Sequence, residues 1–280
     1  MKHLFIIIAL LLPLSISAKN PKFFKKARPI QLTVIAYDKA GQMQQGQGYF
    51  LNEEGDVLVE YNLLKNAVKV KAVDTNGKEY TLARIKGANS LYNIARLSCP
   101  EAKKSAVMPL LTEAITTGTA VYVMPVSSPD KNAECLVDTI SKIETFEEGH
   151  SYYPLTSKID ERLSGAPVFT EKGDLIGSVQ LAADKDKQHG FIIAATYANQ
   201  LSISAVDVNK YDLRSLPMPK AIPADESQAT TFLYLLNKQD TLIYRANVED
   251  FVEAFPTSST GYIQLAELDA RQGHYKEAEQ

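Results

Sequence analysis

The chain has 280 residues, of which 45% are hydrophobic and 22% are charged. With 14 glycines and 13 prolines, the composition is that of a globular protein and excludes collagen-like, disordered and coiled-coil chains. At roughly 150 residues per domain, the length fits about two domains. The 30 basic and 33 acidic residues give a net charge of −3, so the chain has no basic field that would favour nucleic acid as a partner.

Residues 1–18 have the pattern of a secretory signal peptide. A basic start precedes the apolar stretch Leu4–Leu14, and small residues follow it up to Lys19. The apolar stretch is too short to cross ~30 Å of hydrocarbon as a helix, so we expect cleavage and no stable membrane insertion afterwards. The alternative is a membrane anchor that is not cleaved. The signal predicts an exported protein, either periplasmic or secreted.

Export would place the two cysteines, Cys99 and Cys135, in an oxidising compartment. They could form one disulfide, or they could remain two buried free thiols, since the sequence does not fix the distance between them. Two cysteines are too few for a disulfide scaffold or a four-cysteine zinc site. We therefore expect no metal and no cofactor.

Residues 30–200 form a series of short apolar segments separated by turns. Asn76-Gly77, for example, favours a tight hairpin turn. Many short strands with no long amphipathic helix between them predict a barrel or a sandwich. The segment before them, Phe23–Lys26, is predicted to be a disordered arm. The predicted strands are residues 30–37, 48–51, 57–59, 68–73, 79–85, 94–97, 120–123, 135–143, 166–169, 175–181 and 190–195.

The pattern changes after residue 205. Three prolines, Pro217, Pro219 and Pro223, predict an extended linker over residues 206–225. From Glu226 onward, apolar residues recur at steps of three and four, which predicts helices over residues 226–280.

Residues 259–280 resemble the start of a tetratricopeptide repeat, a helical hairpin that binds proteins. Asp269 departs from the repeat pattern, because an aromatic residue is usual there. A single repeat cannot bury its own apolar faces, so we expect the segment to be truncated from a longer array. The residues that match the packing positions of the repeat are Tyr262, Leu265, Ala266, Gly273, Tyr275 and Ala278.

Several motifs within residues 30–200 occur in a fixed order. They are Gly46–Phe50, Leu51–Val59, Asn93–Leu97, Leu163–Phe169, Gly173–Gly177 and Gly190–Ile193. As an ordered set they resemble the trypsin-like serine proteases of the bacterial periplasmic type. The resemblance implies a mainly β fold, with a double β-barrel over residues 19–205 followed by the linker and the helical tail.

The same resemblance places the catalytic histidine, aspartate and serine at Asn62, Asn93 and Ser164. Serine proteases need a base to take the hydroxyl proton and a carboxylate to orient that base. A carboxamide accepts no proton near neutral pH, so neither asparagine can do this. Arg162 stands where the family has a glycine that helps backbone N–H groups face the oxyanion. We therefore expect a degenerate triad in which Ser164 is a vestigial nucleophile.

These departures predict an inactive protease homologue that binds a peptide or a protein. The alternative is an active serine endopeptidase in which Ser164 uses an unconventional base, with His150 as one candidate. In a third hypothesis the barrel is a folded spacer and the helices do the binding. We expect Asn62, Asn93 and Ser164 to converge in the cleft between two barrels and to form a neutral hydrogen-bonded chain. The ligand and the oligomeric state stay open.

Overall fold

The computed structural model describes residues 21–126, 135–146, 149–181, 189–236 and 240–278. The predicted signal peptide, residues 1–18, lies outside the described residues. Within the described ranges, no helix is both long enough and apolar enough to cross a membrane.

The first half of the β region is one antiparallel, curled sheet. Alternate residues of its first strand, Leu32, Val34 and Ala36, are buried, as expected for a strand with one face on a core. The strands are β1 (Gln31–Tyr37), β2 (Met43–Phe50), β3 (Asp56–Glu60), β4 (Lys69–Asp74), β5 (Glu79–Leu82), β6 (Arg84–Asn89) and β7 (Ile94–Ser98). They are hydrogen-bonded in the order β5-β4-β1-β2-β3-β7-β6.

The second half is a similar antiparallel sheet. Its strands are β8 (Ala120–Val123), β9 (Leu136–Thr139), β10 (Glu144–Thr145), β11 (Ser151–Lys158), β12 (Pro167–Phe169), β13 (Leu175–Leu181) and β14 (His189–Ala194). They lie in the order β10-β11-β14-β13-β12-β8-β9. The predicted fold class, two curled β half-barrels followed by a helical segment, is therefore confirmed.

The longest strand that the sequence analysis missed lies in the second sheet. Residues 151–158 form β11, which pairs with β14 and is irregular after Pro154. Proline has no N–H to donate, which weakens the strand pattern of this segment in the sequence. Here the Pro154 carbonyl accepts a hydrogen bond from the Ser141 N–H at 2.9 Å. The proline thus contributes to the pairing of the strand as an acceptor.

The segment before β1 is ordered, and the prediction of a disordered arm is wrong. Helix α1 (Phe24–Ala27) follows Phe23, whose ring packs 5.3 Å from Phe169 and 5.8 Å from Tyr122, between ring centroids. Phe23 is 7% exposed and Ala27 is fully buried. The free energy gained when this segment buries apolar area against the second half-barrel is enough to order it, although its lysines favour solvent.

A buried ion pair fixes the two half-barrels against each other. Asp56, at the start of β3, accepts from the Arg96 guanidinium at 2.8 Å, and Arg96 also donates to the Leu201 carbonyl at 3.2 Å. Burial by itself would raise the pKa of Asp56, but hydrogen bonds from Asn52, Lys86 and Arg96 outweigh it and lower that pKa. The pair thus connects the first sheet to the end of α3 (Ala195–Gln200), which follows the second sheet.

Both cysteines are free thiols and both are buried. The two cysteines therefore form no disulfide with each other in this structure. Burial raises the pKa of Cys99 to about 11 and that of Cys135 to about 12, so both thiols stay protonated and unreactive near neutral pH.

Residues 206–225 are not an extended linker, and that prediction is corrected. A 3₁₀ turn, Asp207–Asn209, and the short helix α4 (Tyr211–Arg214) come first. The Pro219 carbonyl then accepts from the Ile85 N–H at 3.0 Å, and the Ala221 N–H donates to the Ile85 carbonyl at 2.7 Å. A proline lacks only the donor, so its carbonyl and its neighbours still pair with the edge of β6.

The C-terminal segment is helical, as predicted. Its helices are α5 (Glu226–Leu235), α6 (Thr241–Ala254), α7 (Ser259–Gln272) and α8 (Tyr275–Ala278). Helix α7 ends at Gly273, which has the left-handed conformation typical of a helix C-terminus. The resemblance to a tetratricopeptide repeat stays a prediction.

Two details of the helical segment differ from the repeat pattern. The buried residues of α7 are Gly261, Gln264 and Leu268, whereas Tyr262 is 49% exposed. Asp269, at the position that departs from the pattern, forms an ion pair with the Arg245 guanidinium of α6. A charge pair therefore stands where the repeat would have an aromatic contact.

Candidate functional site

The half-barrels meet at a cleft that contains the predicted site. Strand β3 ends at Glu60, Asn93 precedes β7, and Ser164 follows the 3₁₀ turn Glu161–Leu163. Of the predicted site residues, Arg162 and Ser164 line the cleft, and Asn93 is connected to it by a hydrogen bond to Glu60. The cleft has a volume of about 590 Å³ and is lined by Thr33, Gln45, Gly46, Gln47, Glu60, Val126, Glu161, Arg162 and Ser164.

The centre of the site is the carboxylate of Glu60, which the sequence analysis did not single out. Its Oε1 accepts a hydrogen bond from Ser164 Oγ at 2.5 Å and another from Asn93 Nδ2 at 3.0 Å. Glu60 therefore bridges the two residues that the resemblance assigns to the serine and aspartate positions. Glu60 could have been singled out in the sequence, because it is a charged residue at the end of an apolar strand, two residues before Asn62.

Asn93 connects the two half-barrels through its amide. Its Nδ2 donates to Glu60 and also to Oε1 of the buried Gln180, on β13, at 2.9 Å. Its Oδ1 accepts from the Asn62 N–H at 2.9 Å. Asn93 has a φ of +53°, a left-handed conformation that asparagine tolerates better than most residues. Every hydrogen-bonding group of this side chain has a use here.

The expectation of a neutral chain of Asn62, Asn93 and Ser164 is wrong in two respects. The chain contains the Glu60 carboxylate, and Asn62 joins it through its backbone N–H. Asn62 lies in the short helix α2 (Tyr61–Leu64) and is exposed. Because the first N–H groups of a helix have no partner inside it, this N–H is free to donate to Asn93.

The backbone donors beside Ser164 are already used within the loop. The Arg162 N–H donates to Asp160 Oδ1 at 2.9 Å, and the Ser164 N–H donates to the Glu161 carbonyl at 3.1 Å. In trypsin-like proteases the two N–H groups at these positions bind the oxyanion. In this conformation neither donor faces an incoming carbonyl.

Asp160 also binds the side chain of Arg162. The guanidinium donates from Nε at 3.0 Å and from Nη2 at 2.8 Å to the two carboxylate oxygens. These hydrogen bonds lower the pKa of Asp160 to about 2. The Arg162 carbonyl in turn accepts from Gln47 Nε2, so the turn is attached to β2.

Gly165 allows the loop to pass close to β2. Its φ is +78°, and a Cβ at this position would lie 2.8 Å from the Gln47 carbonyl oxygen. Only glycine fits this combination of conformation and space. The Gly165 N–H pairs with the Val179 carbonyl at 2.9 Å, which directs the chain from Ser164 into β12.

His150 is not a partner of Ser164. Its ring lies 4.8 Å from that of Tyr197 and 6.0 Å from that of Phe146, within an aromatic cluster. Among the described residues, the titratable group in hydrogen-bond contact with Ser164 is Glu60. An unconventional base at this site would therefore be the Glu60 carboxylate.

Comparisons with known proteins give similarity at the level of structure. No family model matches the chain, and no curated protein matches it. The HtrA-type protease AlgW in complex with a tripeptide is similar with a TM-score of 0.51 and 19% identity, over 63% of this chain and 60% of AlgW. The chain thus spans less than two thirds of AlgW.

A protease of M. tuberculosis, Rv3671c, is similar in two forms. Its active form has a TM-score of 0.51 at 16% identity, over 69% of this chain and 92% of Rv3671c. An inactive mutant form has a TM-score of 0.50 at 17% identity, over 65% and 89% of the two chains. At these identities the similarity concerns the fold. The chain accordingly has the fold of HtrA-type, trypsin-like serine proteases, two curled β half-barrels, with a helical segment after it.

Proposed function

We propose that this protein is an exported protease homologue that does not hydrolyse peptides and that binds a peptide or protein segment in the cleft between its half-barrels. The observation that carries the proposal is the state of the loop before Ser164. Both N–H groups that would bind an oxyanion donate within the loop, to Asp160 and to the Glu161 carbonyl. Loss of one such donor costs about 10²–10³ in kcat in enzymes that depend on it.

The loss of a triad is a second reason. Without its catalytic residues, a serine protease retains only ~10³–10⁴ over the reaction in water, supplied by binding and the oxyanion hole. Here the oxyanion donors are occupied too. The scaffold nevertheless keeps an open cleft with polar and apolar walls, a feature that suits binding more than turnover.

A second candidate function is serine hydrolysis with Glu60 as the base. It is favoured by the hydrogen bond of 2.5 Å from Ser164 Oγ to Glu60 Oε1. Against it, a carboxylate is a much weaker base than an imidazole, so it takes the proton of an attacking hydroxyl less readily. The occupied N–H groups of Arg162 and Ser164 oppose this function equally.

Labelling with a fluorophosphonate probe separates the two functions. The probe reacts with an activated serine, and an active serine protease labelled alongside gives the full signal. We expect the wild-type protein to be labelled no more than its Ser164→Ala variant over several hours. Stoichiometric labelling that disappears in Ser164→Ala would overturn the proposal. If that labelling also disappeared in Glu60→Gln, it would establish Glu60 as the base.

A further inference from the structure

The Glu60 carboxylate in the cleft has one oxygen whose hydrogen-bonding capacity is filled and one whose capacity is not. Oε1 of Glu60 accepts from both Ser164 and Asn93, which matches its two lone pairs. Oε2 has no hydrogen-bond donor among the described residues. It lies beside β2, where a Cβ at Gly46 would be 3.6 Å away from it. Two acceptor positions on Oε2 therefore remain available to a ligand.

Within the described parts of the chain, no cation compensates the Glu60 carboxylate. Among the described residues, none of the ion pairs includes Glu60. The arginine of the cleft, Arg162, has its guanidinium engaged by Asp160 through two hydrogen bonds. Glu161, exposed at the rim, adds a further negative charge. A group that enters the cleft thus meets negative charge that the described residues do not neutralise.

Resting on the proposed binding function, we propose that the cleft selects peptides that place a primary ammonium group against Oε2 of Glu60. A charge-assisted hydrogen bond is about twice as strong as a neutral one. Ser164 and Asn93 hold the carboxylate in a fixed orientation, so binding need not order it.

The same geometry favours lysine over arginine. A guanidinium binds a carboxylate best as a fork, with two parallel N–H groups on the two oxygens. Because Oε1 of Glu60 is already saturated, only one arm of that fork can be used. An ammonium is a compact charge that needs a single oxygen. The N-terminal amine of a peptide has the same chemistry as a lysine side chain and is a second possible source.

The test uses the full-length protein and a set of short peptides in isothermal titration calorimetry. Four peptides, acetylated and amidated at their ends, are identical apart from a central lysine, arginine, norleucine or glutamate. A fifth carries norleucine and a free N-terminus. We expect the lysine peptide to bind about ten-fold or more tightly than the norleucine peptide, with arginine between them. This preference should weaken as the salt concentration rises.

The variant Glu60→Gln tests the residue itself. Glutamine keeps an oxygen that can accept from Ser164 and Asn93, and it replaces the other oxygen with an NH2 group, which removes both the charge and the free acceptor. We expect the ratio of the affinities for the lysine and the norleucine peptides to fall to about one. Glu253→Gln is the matched control, since it removes an exposed carboxylate on α6 and should leave the preference intact.

The outcomes distinguish this inference from the proposed function. If none of the peptides binds, cleft binding is wrong and the inference fails with it. If the acetylated norleucine peptide binds as tightly as both the lysine peptide and the peptide with a free N-terminus, or if Glu60→Gln keeps the preference, the inference fails and cleft binding stands. If the fifth peptide alone binds as tightly as the lysine peptide or more tightly, the inference stands, and the N-terminal amine is the source of the ammonium group.

Discussion

Asn93 has to be an amide where it stands. It donates to two acceptors, Glu60 at 3.0 Å and Gln180 at 2.9 Å, and it also accepts from the Asn62 N–H. An aspartate could accept but not donate. It would also bring a second carboxylate against Glu60, and like charges at this distance repel strongly in a partly buried site. Asn93 and Glu60 therefore depend on each other.

This dependence predicts that the triad cannot be rebuilt by simple replacement. We expect Asn62→His alone to show no turnover of a peptide ester above the Ser164→Ala background. Asn62→His with Asn93→Asp should also fail, because the introduced carboxylate would repel Glu60 and the N–H groups of Arg162 and Ser164 stay occupied. Adding Arg162→Gly should give weak hydrolysis at most. Ester hydrolysis followed by absorbance measures all three variants.

Robust turnover by Asn62→His alone would contradict this account of the site. The set needs one more variant, in which Glu60→Ala is added to the triple replacement. It removes the carboxylate that competes with an imidazole for Ser164. We expect it to be the most active of the series, by about ten-fold over the triple variant.

At the scale of the elements, the segment after α4, which pairs with the edge of β6, contains one buried lysine. Lys220 is 5% exposed, and its Nζ donates to the Leu216 carbonyl at 2.5 Å and to the Met218 carbonyl at 2.7 Å. Desolvation lowers the pKa of Lys220 to about 8, although the charge of Asp240 acts in the opposite direction. A neutral amine has two N–H groups for these two carbonyls, whereas an ammonium would bury a third without a partner.

This burial predicts that the contribution of Lys220 to stability rises with pH. Below about pH 8 Lys220 is protonated in both states, and between about pH 8 and 10.5 its amine binds a proton in the unfolded chain but not in the folded protein. The contribution of Lys220 to the free energy of unfolding should therefore increase over this window, by up to ~3 kcal/mol. In Lys220→Met this increase should be absent. Urea denaturation at several pH values, compared with the wild type, measures the difference.

The exposed Lys103 supplies the control for this experiment. Lys103→Met removes a lysine from the surface instead of from the interior, and it should keep the wild-type pH dependence. Equal pH profiles for the wild type and Lys220→Met would mean that Lys220 is not desolvated in the folded protein.

At the scale of the whole molecule, the helical segment is attached to the first half-barrel by a charge pair. The Arg84 guanidinium, on β6, binds the Asp250 carboxylate of α6 through Nη2 at 2.8 Å and through Nε. Both side chains are about three-quarters buried, with exposures of 28% and 24%. The pair lies beside the contact of Pro219 and Ala221 with Ile85, so strand edge, connecting segment and helix meet in one place.

We expect a double-mutant cycle on this pair to give a coupling free energy of ~1 kcal/mol in favour of folding. The variants are Arg84→Met, Asp250→Asn and the two combined, each unfolded in urea. Because the pair is bidentate and partly buried, its coupling free energy should exceed that of a typical exposed ion pair. Unfolding should remain a single transition in the wild-type protein, since the helical segment and the sheet share this contact.

The exposed pair Lys172–Glu113 is the comparison. Its side chains are 77% and 78% exposed, so solvent and salt screen it, and its coupling should be close to zero. A coupling at Arg84–Asp250 as small as this one would show that the pair does not hold the helices to the sheet.

The amino-acid sequence by itself determined most of the elements. Strands β8 and β13 begin and end where they were predicted, and α7 begins at Ser259 and ends before Gly273. These features depend on the alternation of apolar residues, on helical periodicity and on glycine in a left-handed turn. All three are local along the chain, so they can be read without knowing which segments pack together. The convergence of Asn93 and Ser164 came from the order of the motifs.

Only the tertiary structure decided the chemistry of the site. Glu60 and Ser164 are 104 residues apart in the sequence and are brought into contact by the packing of two separate sheets. The same packing buries Phe23 and places His150 in an aromatic cluster away from Ser164. Which oxygen of a carboxylate is saturated, and which N–H is already used, depends on partners from distant strands. No periodicity in the sequence carries that information, because a hydrogen bond is set by the positions of atoms within about 3 Å.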